Sequence, residues 1–79
     1  MSGEVGFKNR DRFIQLGIAI STIRKMRGLS QEKLAELAGL HRTTLGTIEN
    51  GKTSPTLDSI ARIANALNLT ISELLVDII

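Results

Sequence analysis

The sequence has no cysteine and only one histidine among its 79 residues. The first absence excludes a disulfide framework and thiolate metal sites; the second removes sites built from several histidines. Long apolar runs are missing too. The longest, such as Ile18-Ala19-Ile20 and Leu74-Leu75-Val76, reach three residues, against the roughly 20 that a membrane span needs. Residues 1–10, MSGEVGFKNR, lack the apolar stretch of a secretion signal, so a cytoplasmic protein with no membrane partner is expected. No cluster of nucleophile, base and oxyanion donor can be assembled, so no enzyme is expected, and nothing calls for a cofactor or a metal. The net charge is only +2, and the pI of about 9.5 permits a polyanionic partner without demanding one. Where the charges sit therefore matters more than their sum. A chain this short makes one domain that buries roughly 60–65% of its unfolded surface, so a second copy would add useful support.

What is present is helical periodicity, with no strand pattern, repeat or low-complexity segment beside it. Residues 1–10 hold two glycines and no period and are expected as a flexible tail, with a single domain over 11–79. Phe13, Leu16, Ile20 and Ile23 recur at spacings of three and four, predicting a helix over about 12–27 that stops at Gly28. Ser30 is a good N-cap for a second helix over 31–38, which would bury Leu34, Ala35, Leu37 and Ala38 and end at Gly39. A third helix is predicted over 42–49. Thr56 then caps a fourth, with Leu57, Ile60, Ala61, Ala64 and Leu67 as its core stripe. Thr70 with Glu73 forms a capping box for a fifth over about 71–76 that would bury Ile71, Leu74 and Leu75.

The most informative stretch is Ser30 to Gly51, SQEKLAELAGLHRTTLGTIENG. Two short amphipathic helices joined across Gly39-Leu40-His41 have the form of a helix-turn-helix spanning 30–50, in which the first helix braces the second and the second faces the major groove of DNA. At about 100° per residue from Arg42, Gly46 falls at about 40°, Asn50 at about 80°, Thr43 at about 100° and Thr47 at about 140°, while Leu45 and Ile48 lie opposite. One face is apolar and the other short and polar. An arginine can donate two hydrogen bonds to guanine, worth about 1–3 kcal/mol against a wrong base, and threonines can bond a base edge or touch a thymine methyl. Arg42, Thr43 and Thr47 are therefore the candidate base readers, although a merely solvated face has the same composition. Gly46 lies among them and leaves the face bare, at a helix-interior cost of about 1 kcal/mol relative to alanine. Ser30, Gln31, His41, Asn50, Lys52 and Thr53 border this face and are candidates for phosphate contacts; capping and turn formation are the alternative roles for Ser30, His41 and Asn50.

These residues resemble the lambda-repressor-like, Cro-type family of helix-turn-helix domains. The likeness runs from about Leu16 to Leu75 and rests on Leu16-Gly17, Ile23-Arg24, Gly28-Leu29-Ser30-Gln31, Leu34-Ala35, Ala38-Gly39, Thr44, Ile48-Glu49-Asn50-Gly51-Lys52 and the segment IARIANALNLTISELL. The resemblance implies an all-α, compact five-helix DNA-binding domain. It implies that Gln31 meets a phosphate, that Arg42, Thr43 and Thr47 read bases, and that Arg24 and Glu49 form an ion pair tying the first helix to the third. Its members are most often transcriptional repressors, here one associated with the nucleoid of a bacterial or phage system. Ile14 and Ile18, off the core stripe, and the terminal Val76, Ile78 and Ile79 suggest an adhesive surface. A homodimer on a near-palindromic double-stranded DNA site is the expectation, unless these isoleucines cover the domain's own core. Two other readings stay open: an antitoxin with a toxin partner or a restriction-modification controller using the same domain, and a protein-interaction module that has kept the fold without reading DNA.

Overall fold

The computed structural model describes the backbone of residues 2–76 and the side chains of residues 11–76. It contains five helices: α1 (Ser2–Met26), α2 (Gln31–Ala38), α3 (Arg42–Glu49), α4 (Leu57–Ala66) and α5 (Ile71–Leu75). Four of them run as expected to within a residue or two. The first does not: α1 begins at Ser2, so the segment expected as a flexible tail is helical. Its two glycines disfavour a helix but do not forbid one, no proline interrupts it, and once Leu16 and Ile20 anchor a helix each further residue adds a hydrogen bond without a new nucleation cost. At 1.5 Å per residue the 25 residues extend roughly 37 Å, close to the 40 Å long axis of the molecule.

Helix ends are set locally. The hydroxyls of Ser30 and Thr56 accept from the N–H of Lys33 and Ser59, and Thr70 and Glu73 exchange both bonds of a capping box, at 3.0 and 2.9 Å. At the other end, α2 runs into Gly39 at φ 69°, where the Leu40 N–H reaches back to the Ala35 carbonyl at 2.9 Å. Asn68, at φ 59°, plays the same part after α4, its successor Leu69 bonding Ala64 at 2.8 Å. Asparagine tolerates the left-handed region better than other side chains, which is why the chain can turn there without glycine.

The core gathers Leu16 and Ile20 of α1, Leu34, Ala35 and Ala38 of α2, Leu45 and Ile48 of α3, Ile63 and Ala64 of α4, Leu67 after it and Leu74 of α5. Burying one such leucine or isoleucine is worth about 1.5–3 kcal/mol. Two expected core residues lie outside: Leu37 is 51% and Leu57 69% exposed. Leu34, Ala35 and Ala38 define the inward arc of α2, and Leu37 points about 110° from its centre at 100° per residue. Leu57 opens α4 a full turn before Ile60, and the inward stripe runs through Ile63, which the expected set had passed over for the half-buried Ala61. Consequently Leu37→Gln should change unfolding free energy by less than about 0.5 kcal/mol in urea denaturation, where Leu34→Ala should cost about 2–5 kcal/mol.

Ile14, Ile18 and Val76 are exposed, at 41, 58 and 69%; Ile78 and Ile79 lie outside the described residues. No helix among the described residues is long and apolar enough to cross a membrane.

Candidate nucleic-acid interface

The presentation of α3 depends on how its C-terminal end is held against α1. At Gly17 the two backbones come so close that a β-carbon would stand 2.6 Å from the Ile48 carbonyl oxygen and closer still to that of Glu49. Only glycine fits there. One turn earlier on α1, Ile14 lies on Gly51, where an added β-carbon would sit 2.8 Å from the Ile14 Cα. Gly51 also has φ 69°, and the N–H of Lys52 after it reaches the Thr47 carbonyl at 3.1 Å, closing α3.

Side chains then lock this junction. Arg24 donates from Nε to Glu49 Oε2 at 2.8 Å and from Nη2 to Glu49 Oε1 at 3.1 Å, while its Nη1 donates to the Leu29 carbonyl at 2.9 Å. One guanidinium thus joins the end of α1, the approach to α2 and the end of α3. The side chains are 11% and 4% exposed, so this is a fork-on-fork pair out of water. Gln31, first residue of α2, adds a fourth bond from Nε2 to Glu49 Oε1 at 3.0 Å. The pairing of Arg24 with Glu49 agrees with what the family resemblance implies. The Gln31 bond does not follow from it: one of the two amide protons is already committed inside the protein, leaving the other and the carbonyl oxygen for an outside partner.

With its C-terminal end fixed, α3 turns Leu45 and Ile48 inward and leaves Arg42, Thr43 and Thr44 exposed. Thr47 is half-buried and its hydroxyl donates to the Thr44 carbonyl at 2.8 Å. Its remaining capacity is two lone pairs and a methyl, so of the three candidate readers it is the least able to donate to a base. His41 occupies the N-cap position of α3 without a side-chain cap bond, in contrast to the caps of α2, α4 and α5. The first-turn N–H groups of α3 therefore keep their hydrogen-bonding capacity. Ser30, His41, Asn50, Lys52 and Thr53 are all exposed. Of these, Ser30 is engaged as the cap of α2 and Asn50 sits at the C-cap of α3. Among the described residues the ion pairs are Arg24–Glu49, Lys33–Glu36 and Arg62–Asp58; Arg42 and Lys52 enter none of them. The structure thus gathers Arg42 and Thr43 with half-buried Thr47 on one side of α3, with Gln31 at one border and the Asn50–Thr53 turn at its end.

Sequence reasoning missed Gly17 as the seat of the α1–α3 contact. The signal was a glycine inside a helical period, at a site where the fold brings two backbones together. Among the described residues no cluster of His, Asp and Glu could hold a metal. A shallow groove lies between Ile23, Met26, Arg27 and Leu69, with no nucleophile among those residues.

A family model described as helix-turn-helix matches residues 20–74. Control protein C.SmaI of Serratia marcescens is 41% identical over 56 residues, which cover 71% of this chain and 67% of that protein. The HTH-type transcriptional regulator PuuR of Escherichia coli is 36% identical over 63 residues, and the match spans 80% of this chain but 34% of that regulator. Among solved structures, the restriction-modification controller protein C.AhdI from Aeromonas hydrophila superposes with a TM-score of 0.76 at 37% identity, over 78% of this chain and 94% of that one.

Proposed function

We propose, from the premise that the chain belongs to the helix-turn-helix family of DNA-binding transcriptional regulators, that it is a sequence-specific repressor that reads the major groove of a near-palindromic operator as a homodimer. The observation that carries this reading is the outward face of α3, with Arg42 and Thr43 exposed and Arg42 in none of the ion pairs among the described residues, while Arg24, Gln31 and Gly17 hold the helix in place. Arg42 enters the groove at the helix start and takes a guanine. Thr43 and Thr47 add weaker choices through hydroxyl and methyl contacts. Phosphates on either side are met by Gln31, with its second amide proton, and by Ser30, His41, Asn50, Lys52 and Thr53, which position the helix without choosing a sequence.

A modest reading face favours pairing two copies, because two half-sites about 34–36 Å apart multiply the specificity of each. Exposed Ile14, Ile18 and Val76 supply apolar area for that contact. Sedimentation at tens of micromolar that shows only monomer, with and without operator DNA, speaks against the dimer. A second reading, control of a restriction-modification operon, is favoured by the match to C.SmaI and by the near-complete coverage of C.AhdI. It shares the same DNA chemistry and differs in the genes controlled. A cytoplasmic location accompanies either reading.

Base reading and phosphate holding separate in mutants. Arg42→Ala should lose about 1–3 kcal/mol on the preferred duplex and little on random DNA. Lys52→Ala should weaken both similarly and flatten the dependence of log K on log salt by about one phosphate contact. Fluorescence anisotropy titrations on both duplexes at several salt concentrations make the comparison. Equal losses on both for Arg42→Ala would remove it from the base-reading role.

A further inference from the structure

The glycines near the helix-turn-helix divide by what they are for. Gly39 and Gly51 stand at φ 69°, where a helix ends, and Gly17 and Gly51 stand where a β-carbon would strike α3 or α1. Gly46 belongs to neither group. It lies inside α3 with no left-handed backbone, and among the described residues a β-carbon there would meet only the amide end of Gln31, at 3.8 and 4.0 Å. That is ordinary van der Waals contact. The protein has room for alanine at this position and has, instead, the poorest helix former after proline, in a helix of only eight residues. Nothing among the described residues accounts for the choice.

The neighbours of Gly46 account for it. Arg42 lies one turn before it, Thr43 and Thr47 flank it, Asn50 lies one turn after, and Gln31 closes one side; Gly46 is the low point of the surface assigned above to DNA. We infer that Gly46 is a specificity-determining position, the place where the duplex comes into van der Waals contact with the backbone of α3, so that a single added methyl holds the helix off the groove. This rests on the DNA-reading assignment of α3 and refines it. The lever is distance: the side chains of Thr43 and Thr47 are short, the Thr47 hydroxyl already donates to the Thr44 carbonyl, and hydrogen bonds to a base edge need heavy atoms within about 3 Å.

Gly46→Ala tests the inference because stability and binding should move in opposite directions. The thermal midpoint should rise by about 4–8 °C from the gain in helix propensity. Affinity for a duplex selected by the wild-type chain should fall at least tenfold, with a smaller loss on random duplex. A raised midpoint with selected-duplex affinity within twofold of wild type overturns the inference and leaves the DNA-reading assignment intact. A lowered midpoint also overturns it, since the glycine would then serve the fold. A wild-type chain that binds no duplex at all removes the assignment and this inference together.

Discussion

Arg24→Ala should cost about 3–5 kcal/mol of unfolding free energy. A domain of 79 residues has about 4–12 kcal/mol in total at 0.05–0.15 kcal/mol per residue, so this single truncation should leave the domain near the edge of folding. The size of the effect comes from what stays behind. Glu49, with its side chain 4% exposed, would lose both bonds of the guanidinium fork and keep only the Gln31 amide. The Leu29 carbonyl would lose its donor as well. A buried carboxylate without its cation is the costly state, more than the absence of the pair. The double replacement Arg24→Met with Glu49→Leu should therefore recover most of the stability lost by Arg24→Ala, because no charge is stranded. It should not recover DNA binding, since the fork that sets the C-terminal end of α3 relative to α1 is gone. Urea denaturation gives the first quantity and anisotropy titration the second. A loss below about 1 kcal/mol for Arg24→Ala would show that the fork contributes little to the folded state.

Gly17→Ala is the second large effect. The added carbon would stand 2.6 Å from the Ile48 carbonyl oxygen and 2.7 Å from the Glu49 carbonyl carbon. Both are backbone atoms inside a helix that is anchored by Leu45 and Ile48 in the core, so neither can swing aside as a long side chain would. The strain must be relieved by parting α1 from α3. Overpacking of this kind costs about 1–3 kcal/mol and more where the obstacle is rigid, and a loss of about 3 kcal/mol corresponds to a fall in thermal midpoint of more than about 10 °C for a domain of this size. Because the displaced element carries Arg42 and Thr43, affinity for the selected duplex should fall even at temperatures where the variant is fully folded. A midpoint within about 2 °C of wild type would mean that the two helices are not held at this spacing in solution. The contrast with Gly46→Ala is direct: the same chemical change is expected to destabilise at one glycine and stabilise at the other.

Much of the architecture was legible because it is written locally. Ser30, Thr56 and the Thr70/Glu73 box announce helix starts by bonds made within three residues, and Gly39 and Gly51 announce ends by a backbone angle. The start of α1 was not legible, because a helix extended from an anchored segment needs no start signal of its own. Leu37 and Leu57 were misplaced because a period says which residues share a face and not how far the neighbouring helices cover it. Ile63 was passed over for Ala61 for the same reason. At the site, the polar face of α3 followed from its wheel, whereas the Arg24–Glu49 pair, 25 residues apart, was accessible only through family resemblance. The bond from Gln31 to Glu49 and the close approach at Gly17 depend on how α1, α2 and α3 converge, which no short window of sequence contains.

The central claim is that α3 reads a specific duplex through Arg42, Thr43 and Thr47. Selection of bound duplexes from a random pool, run in parallel with wild type and Arg42→Ala, tests it most directly. The account predicts that wild type enriches a near-palindrome with half-sites spaced by about one helical turn, or 10–10.5 base pairs. It also predicts one guanine per half-site that Arg42→Ala no longer requires while the remaining positions persist. Enrichment of no motif by wild type, or the same motif with the guanine intact for Arg42→Ala, would contradict it.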